Sequence, residues 1–285
     1  MYLKKKLYLC SAMGELLLYR LLSWLRHLLS AWNTGGEGVH SPYLFEWVRM
    51  VMSDKHAYYV WEDIEALRAE MLRDNRMIAF VDYGSGKKQL GDIVQEERLV
   101  RDIAKGSLAR KQYAQMLFRL VNWLGDGRSL NIVELGTSLG VTTSYLAAVD
   151  SRNRVVTLEG CKAVAEIAKE NWRKLGLRNI ECRLGEVSVD SLQCVVDALT
   201  GGVDVAYIDA NHTYASTREY FNVLAANVHE KSVIVVDDIH HSKEMERAWN
   251  AICADARVTS TIDLYQMGLV FFDKHYWKRN YRMIL

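Results

Sequence analysis

Acidic residues stand at or beside the ends of four apolar runs in this chain: Glu134, Glu159, Asp209 and the pair Asp237-Asp238. The first lies in Val133-Glu134-Leu135-Gly136-Thr137-Ser138-Leu139-Gly140. An apolar run leads in and a helical pattern over 142–149 leads out, with two glycines between. A strand-turn-helix unit of this kind brings its backbone close to a nucleotide-like ligand. A pyrophosphate calls for a glycine triplet, GxGxxG. The spacing here is Glu134-x-Gly136-x-x-x-Gly140, and a carboxylate at the strand end repels a pyrophosphate but attracts a cationic group. Glu159 follows the next apolar run, 154–158, where a ribose-binding acid belongs in such a unit. A carboxylate suits that task because it accepts two hydrogen bonds from a vicinal diol.

The remaining acids lie in Asp209-Ala210-Asn211-His212 and Asp237-Asp238-Ile239-His240-His241. Three carboxylates converging at one end of a sheet repel each other unless a cation sits between them. Oxygen ligands of this kind suit magnesium, manganese or calcium, not zinc. The plainer alternative is that Asp237 or Asp238 caps the next helix, although Ser242 is the better cap. Tyr214, Trp172 and Trp249 fall at helical positions and read as packing residues. A second glycine loop, Asp82-Tyr83-Gly84-Ser85-Gly86, is followed by charged residues and no acid-ended strand, so it reads as a surface turn or a flap.

These residues need elements to position them. From residue 130 onward, apolar runs at 130–135, 154–158, 180–184, 203–208 and 232–236 alternate with helical patterns near 140–149, 161–175, 188–199, 215–228 and 242–254. That alternation predicts an α/β fold: a doubly wound, mostly parallel sheet with helices on both faces. Residues 258–264 and 269–272 are two strands joined too tightly for a parallel crossover, so they pair antiparallel. Residues 1–111 read as a mainly helical extension and 112–285 as the Rossmann-like domain. Within the extension, Ser41-Pro42 opens a helix, 61–72 is helical, and 89–105 reads as a charged helix. Between Gly14 and Trp32 the polar residues Arg20, Ser23, Arg26, His27 and Ser30 share one helical face, and leucines cover the rest. The wide apolar face of such a helix packs on the body of the protein or on a second copy, with peripheral membrane contact as the alternative.

The net charge of +1 over 285 residues, without a basic-aromatic stripe, argues against nucleic acid. The five cysteines show no CxxC spacing and point to reduced thiols in a cytoplasmic protein. Charged residues interrupt the N-terminal apolar run, which argues against a signal peptide or a spanning helix.

The Glu134–Gly140 pattern resembles motif I of the class I S-adenosylmethionine (SAM)-dependent methyltransferases. The resemblance covers roughly 112–285. It implies a seven-stranded sheet and SAM as cofactor, bound by Glu134, Gly136, Thr137, Ser138 and Gly140, by Glu159 and Gly160 at the ribose, by Gly185 and Glu186 beside the adenine, and by Asp209. The acidic strand ends are further similar to the metal-dependent O-methyltransferases, in the branch with the macrolide-sugar O-methyltransferases and cephalosporin hydroxylase-like proteins. By that likeness Asp209, Asp237 and Asp238 hold a divalent cation such as Mg2+, Asp209 belongs to the catalytic set, and His212 is the base. The plant-type and catechol-type cation-dependent enzymes commonly have asparagine in place of Asp238 and lysine in place of His212, which argues against their substrates here. The expected reaction is O-methylation of a small-molecule hydroxyl. The N-terminal region, including His40 and the segment 39–43, is expected to supply the acceptor pocket and lid. Two other functions stay in view: a non-catalytic interaction protein on the same fold, and an NAD-type oxidoreductase, which needs the glycine triplet this loop lacks.

Overall fold

The computed structural model describes residues 2–31, 35, 36, 38, 39, 41–81, 95–275 and 277–285, with side chains from residue 14 onward. His40 and the 82–86 loop lie outside the described residues.

The N-terminal elements are helix α1 (Tyr2–Ser30), helix α2 (Pro42–Trp47) continued by a π-helical turn (Val48–Met52), and helix α3 (Val60–Met71). They are followed by strands β1 (Met77–Val81) and β2 (Gln95–Leu99) and helix α4 (Val100–Ser107). Ser41 caps α2 by accepting from the Leu44 amide at 3.3 Å, with Pro42 at the first position as expected. The charged stretch expected as one helix over 89–105 instead gives β2, antiparallel to β1, before turning into α4. The extension is therefore not purely helical. β2 carries Gln-Glu-Glu-Arg-Leu, whose charges face outward from a two-stranded ribbon and give no apolar alternation to read.

The domain beyond begins with α5 (Lys111–Gly125) and then alternates: β3 (Asn131–Leu135), α6 (Val141–Ala147), β4 (Arg154–Glu159), α7 (Lys162–Lys174), β5 (Ile180–Leu184), α8 (Val189–Asp197), β6 (Val203–Ile208), α9 (Tyr214–Ala225), β7 (Val228–Asp237), α10 (Lys243–Ala254), β8 (Ser260–Asp263), β9 (Met267–Phe271) and β10 (Arg279–Arg282). The strand order is β10-β8-β9-β7-β6-β3-β4-β5. β9 alone runs antiparallel, between β7 and β8. The seven expected strands are present, and β10 adds an eighth, parallel to β8 at the edge. Its sequence, Arg-Asn-Tyr-Arg, buries only Tyr281, so no hydrophobic pattern announces it.

The central strands are buried on both faces, which is why they read as continuous apolar runs. Ile132, Val205, Tyr207, Val233 and Leu269 face α2 and α5, while Val133, Ala206, Ile234 and Val270 face α8, α9 and α10. Tyr43 and Trp47 pack on Trp123 and Phe271, so α2 is part of this core.

Helix α1 docks with the face opposite to the one expected. Ser23 and His27 are buried, whereas Leu17, Leu18, Leu21, Leu22, Leu25, Leu28 and Leu29 are exposed. The polar face is the one that finds partners: Tyr19 donates to Glu246 at 2.6 Å, Arg20 donates to the His241 carbonyl at 3.0 Å, and Tyr265 donates to the Arg20 carbonyl at 2.8 Å. No helix among the described residues is long and apolar enough to cross a membrane.

Candidate active site

Two groups of residues meet at the C-terminal edge of the sheet, one after β3 and β4 and the other after β6 and β7.

The first group is organised by backbone. Gly136 has φ +95°, and a Cβ there would lie 2.0 Å from the Asp209 carbonyl oxygen. Only glycine lets the ends of β3 and β6 approach this closely. Gly140 has φ +74°, and a Cβ there would meet the Trp172 indole and the Ala168 methyl. Trp172 instead donates Nε1–H to the Gly140 carbonyl at 3.0 Å, which seats α7 against the start of α6. Glu159 accepts from the Ser138 and Cys161 amides, both at 2.8 Å. Burial raises its carboxyl, and those amides, with that of Gly160, oppose the shift. Each oxygen therefore has one backbone donor and keeps capacity for another. The Gly185 amide donates to the Glu159 carbonyl at 2.9 Å, bringing the 185–186 turn beside it, with Glu186 at the surface.

Glu134 is placed differently from the expectation that it meets a cofactor directly. It is wholly buried beneath the loop, where the hydroxyls of Thr143 (2.5 Å) and Thr157 (2.7 Å) both donate to Oε2. Its other oxygen, Oε1, is buried with no partner. Burial pushes this carboxyl up to about 8. A cationic donor reaching Oε1 through a bridging water would satisfy it, because water relays a hydrogen bond with little loss.

The second group is organised by charge. Asp237 is buried and accepts from Tyr207 Oη at 2.6 Å, while the same hydroxyl lies 3.5 Å from Asp209. Burial and the charges of Asp209 and Asp238 push the Asp237 carboxyl well above the usual range. His212 Nε2 lies 3.3 Å from Asp209 Oδ1, and His241 Nδ1 lies 3.3 Å from Asp238 Oδ2. The two imidazoles stack at 6.1 Å, so two Asp–His pairs stand side by side. Burial lowers His212, but the hydrogen bond and charge of Asp209, then Asp238 and Asp237, outweigh it and raise it to about 9. Asn211, His212 and Asp238 adopt left-handed φ of +61°, +39° and +54°. Such strain concentrates where side chains are held for function.

Asp209, Asp237 and Asp238 fit a divalent cation in donor chemistry, since all three offer carboxylate oxygens at one end of the sheet. Their spacing is not that of a closed coordination sphere. Among the described residues the three do not bring one oxygen each within 4.8 Å of the others. Asp237 turns inward to Tyr207 and Asp238 outward to His241, which spreads the set.

Comparison with known proteins bears on this geometry. Residues 133–239 match the family model described as a methyltransferase domain. The match runs from β3 through the loop after β7 and so contains every acid considered above. A catechol O-methyltransferase from Niastella koreensis is 32% identical over 111 residues, 38% of this chain. The chain spans about half, 49%, of that curated relative's length. An O-methyltransferase from Bacillus cereus, solved in complex with SAH, superposes with a TM-score of 0.50 at 24% identity, over 60% of this chain and 88% of that one. TomG from Streptomyces achromogenes, solved with SAM, gives 0.50 at 20% identity over 58% and 82%. These structures share the fold of the methyltransferase domain.

Around that domain lie residues that its motifs do not announce. Ser107, at the end of α4, shares a 2.6 Å hydrogen bond with Ser138 in the glycine loop. A cavity of about 380 Å3 adjoins Asp238, His240 and His241 and is walled by Arg20, Trp24 and Arg110 among others. Among the described residues of the segment 39–43, none lines it. The one signal for these contributors was the polar stripe on α1, which marks the docked face.

Proposed function

We propose that the protein is a SAM-dependent O-methyltransferase of small-molecule hydroxyls. The observation that carries this is Glu159, a strand-end carboxylate fixed by two backbone amides beside the Gly136–Gly140 loop, inside a methyltransferase domain. Bound SAM supplies an electrophilic methyl group. The chain's part is to hold the donor and to align and deprotonate the acceptor. Glu159 takes the ribose hydroxyls with its remaining lone pairs. Gly136, Thr137, Ser138 and Gly140 offer the backbone, and Gly160, Gly185 and Glu186 continue the surface toward the base. Asp209 joins the two ends, since its amide donates to the Leu135 carbonyl at 2.9 Å and its carboxylate meets His212.

The acceptor enters through the cavity of about 380 Å3 beside Asp238, whose size suits a small ligand. His212 is the proposed base. It works as one only when neutral, and the surrounding carboxylates keep it protonated up to about pH 9. A divalent cation held by Asp209, Asp237 and Asp238 would supply Lewis-acid activation of the hydroxyl. A cytoplasmic setting is part of the proposal, supported by the unpaired thiols of Cys161, Cys182, Cys194 and Cys253.

Transfer of labelled methyl from SAM to a panel of catechols, sugars and polyketide-like alcohols tests the reading. Calorimetry with SAM is the companion measurement. A wild-type chain that binds no SAM sinks it. Transfer that survives a chelator removes the metal and leaves the methyl transfer standing.

A further inference from the structure

We propose that His27, His240 and Asp263 form a binding site for a transition-metal ion of the zinc type, distinct from the carboxylates of the acceptor end. The three residues come from α1, the loop after β7 and the end of β8, and all are buried, with 5%, 7% and 4% of their surface exposed.

With both imidazoles neutral, one buried lone pair is left facing a carboxylate. His27 Nε2 lies 3.0 Å from the Met283 carbonyl, which only accepts, so Nε2 carries the hydrogen and Nδ1 presents a lone pair. That Nδ1 lies 3.3 Å from Asp263 Oδ1 and makes no hydrogen bond. A lone pair thus faces a carboxylate in a buried setting, where the repulsion is costly. His240 Nε2 lies 2.9 Å from Asp263 Oδ2, and its Nδ1 is also buried without a partner.

The spacing fits an ion. One ligand atom from each residue lies within 4.8 Å of the other two. Bonds of about 2.0–2.1 Å in a tetrahedral shell place neighbouring ligand atoms roughly 3.3 Å apart. Two imidazoles and one carboxylate select Zn2+, Co2+ or Ni2+ over Mg2+ or Ca2+. Ligation through His240 Nε2 shifts its ring proton to Nδ1, the tautomer that leaves the Nε2 lone pair free for the ion. The Tyr265 ring stacks on His240 at 5.2 Å and meets His27 edge-on at 5.5 Å, which fixes both imidazoles. Both also line the cavity of about 380 Å3, leaving a fourth position open to water. Arg282, 3.8 Å from Asp263 Oδ2 and half exposed, opposes the ion from the solvent side and weakens it without blocking it. The ion would join α1 to the sheet.

The test is titration of the untagged, metal-free full chain with Co2+, followed by visible absorption, with Zn2+ as competitor. We expect one Co2+ per chain with an intense tetrahedral band, displaced by Zn2+, and a Zn2+-dependent rise in the unfolding midpoint. His27→Gln and His240→Gln should each weaken binding by about tenfold or more, while His241→Gln and Asp209→Asn keep the band. Circular dichroism identifies any substituted chain that fails to fold, and the other imidazole substitution then decides. Absence of a Co2+ complex in the wild type overturns the proposal. So does unchanged affinity in a folded His27 or His240 variant, or loss of the band in His241→Gln.

Discussion

The two ends of the candidate site are built on opposite principles. The donor end, after β3 and β4, is set by backbone: two glycines that admit close neighbours, and an acid held by two amides. The proposed acceptor end, after β6 and β7, is set by charges that restrain one another, on residues at strained φ, with Arg20 and Arg110 brought in from outside the matched residues 133–239. A donor of fixed shape can be served by a fixed fold. An acceptor that differs between enzymes is served by side chains from several segments, which change without disturbing the strands beneath.

The sharpest way to break this contrast is Gly136→Ala. The methyl group would meet the Asp209 carbonyl at φ +95°, so a loss of about 3 kcal/mol or more is expected in urea unfolding, with donor binding lost as well. A loss below about 1 kcal/mol would show that the strand ends are not held by backbone. Glu159→Ala should leave folding nearly intact and weaken SAM by about 1–3 kcal/mol, roughly 5- to 150-fold in Kd by calorimetry. Unchanged affinity would remove Glu159 from the donor site.

Two titrations sharpen the charge-built side. His212 is raised to about 9, so its contribution to stability is complete below the ordinary histidine range and is lost as pH rises through about 9. Asp209→Asn should bring the His212 imidazole resonance down toward its ordinary midpoint by NMR and remove that loss. An unmoved midpoint would assign the shift to Asp237 and Asp238. Glu134 carries the second titration, under the glycine loop. Its folded carboxyl is raised to about 8, so the cofactor-free protein loses stability as pH rises from the ordinary carboxylate range to about 8. Glu134→Gln should flatten that slope in denaturation midpoints. An unchanged slope would mean that Oε1 has a partner.

The sheet and its helices were legible because burial on both faces writes continuous apolar runs, and the Ser41 and Ser242 caps follow from local chemistry. The glycine loop and Glu159 were legible because spacing alone implies a backbone turn and a strand-end acid. What escaped reading is what depends on partners far along the chain. Edge strand β10 and strand β2 are polar, so periodicity does not show them. The histidine of α1 sits in a stripe that resembles a solvent face until Asp263 and Met283 arrive from the other end of the sheet. Glu134 was identified as important, but its burial under Thr143 and Thr157 depends on how the next helix begins.

Those distant partners have a consequence for how the chain is made. Helix α1 touches residues 241, 246, 263, 265, 282 and 283, each more than 200 positions downstream. At about 5–20 residues per second, a ribosome delivers them tens of seconds after the helix has emerged. Through that interval the polar stripe of the helix, with His27 in it, has none of the partners that bury it in the folded chain. Seating α1 is therefore a late event in biogenesis, and a nascent chain arrested before residue 241 should be the species that chaperones hold longest.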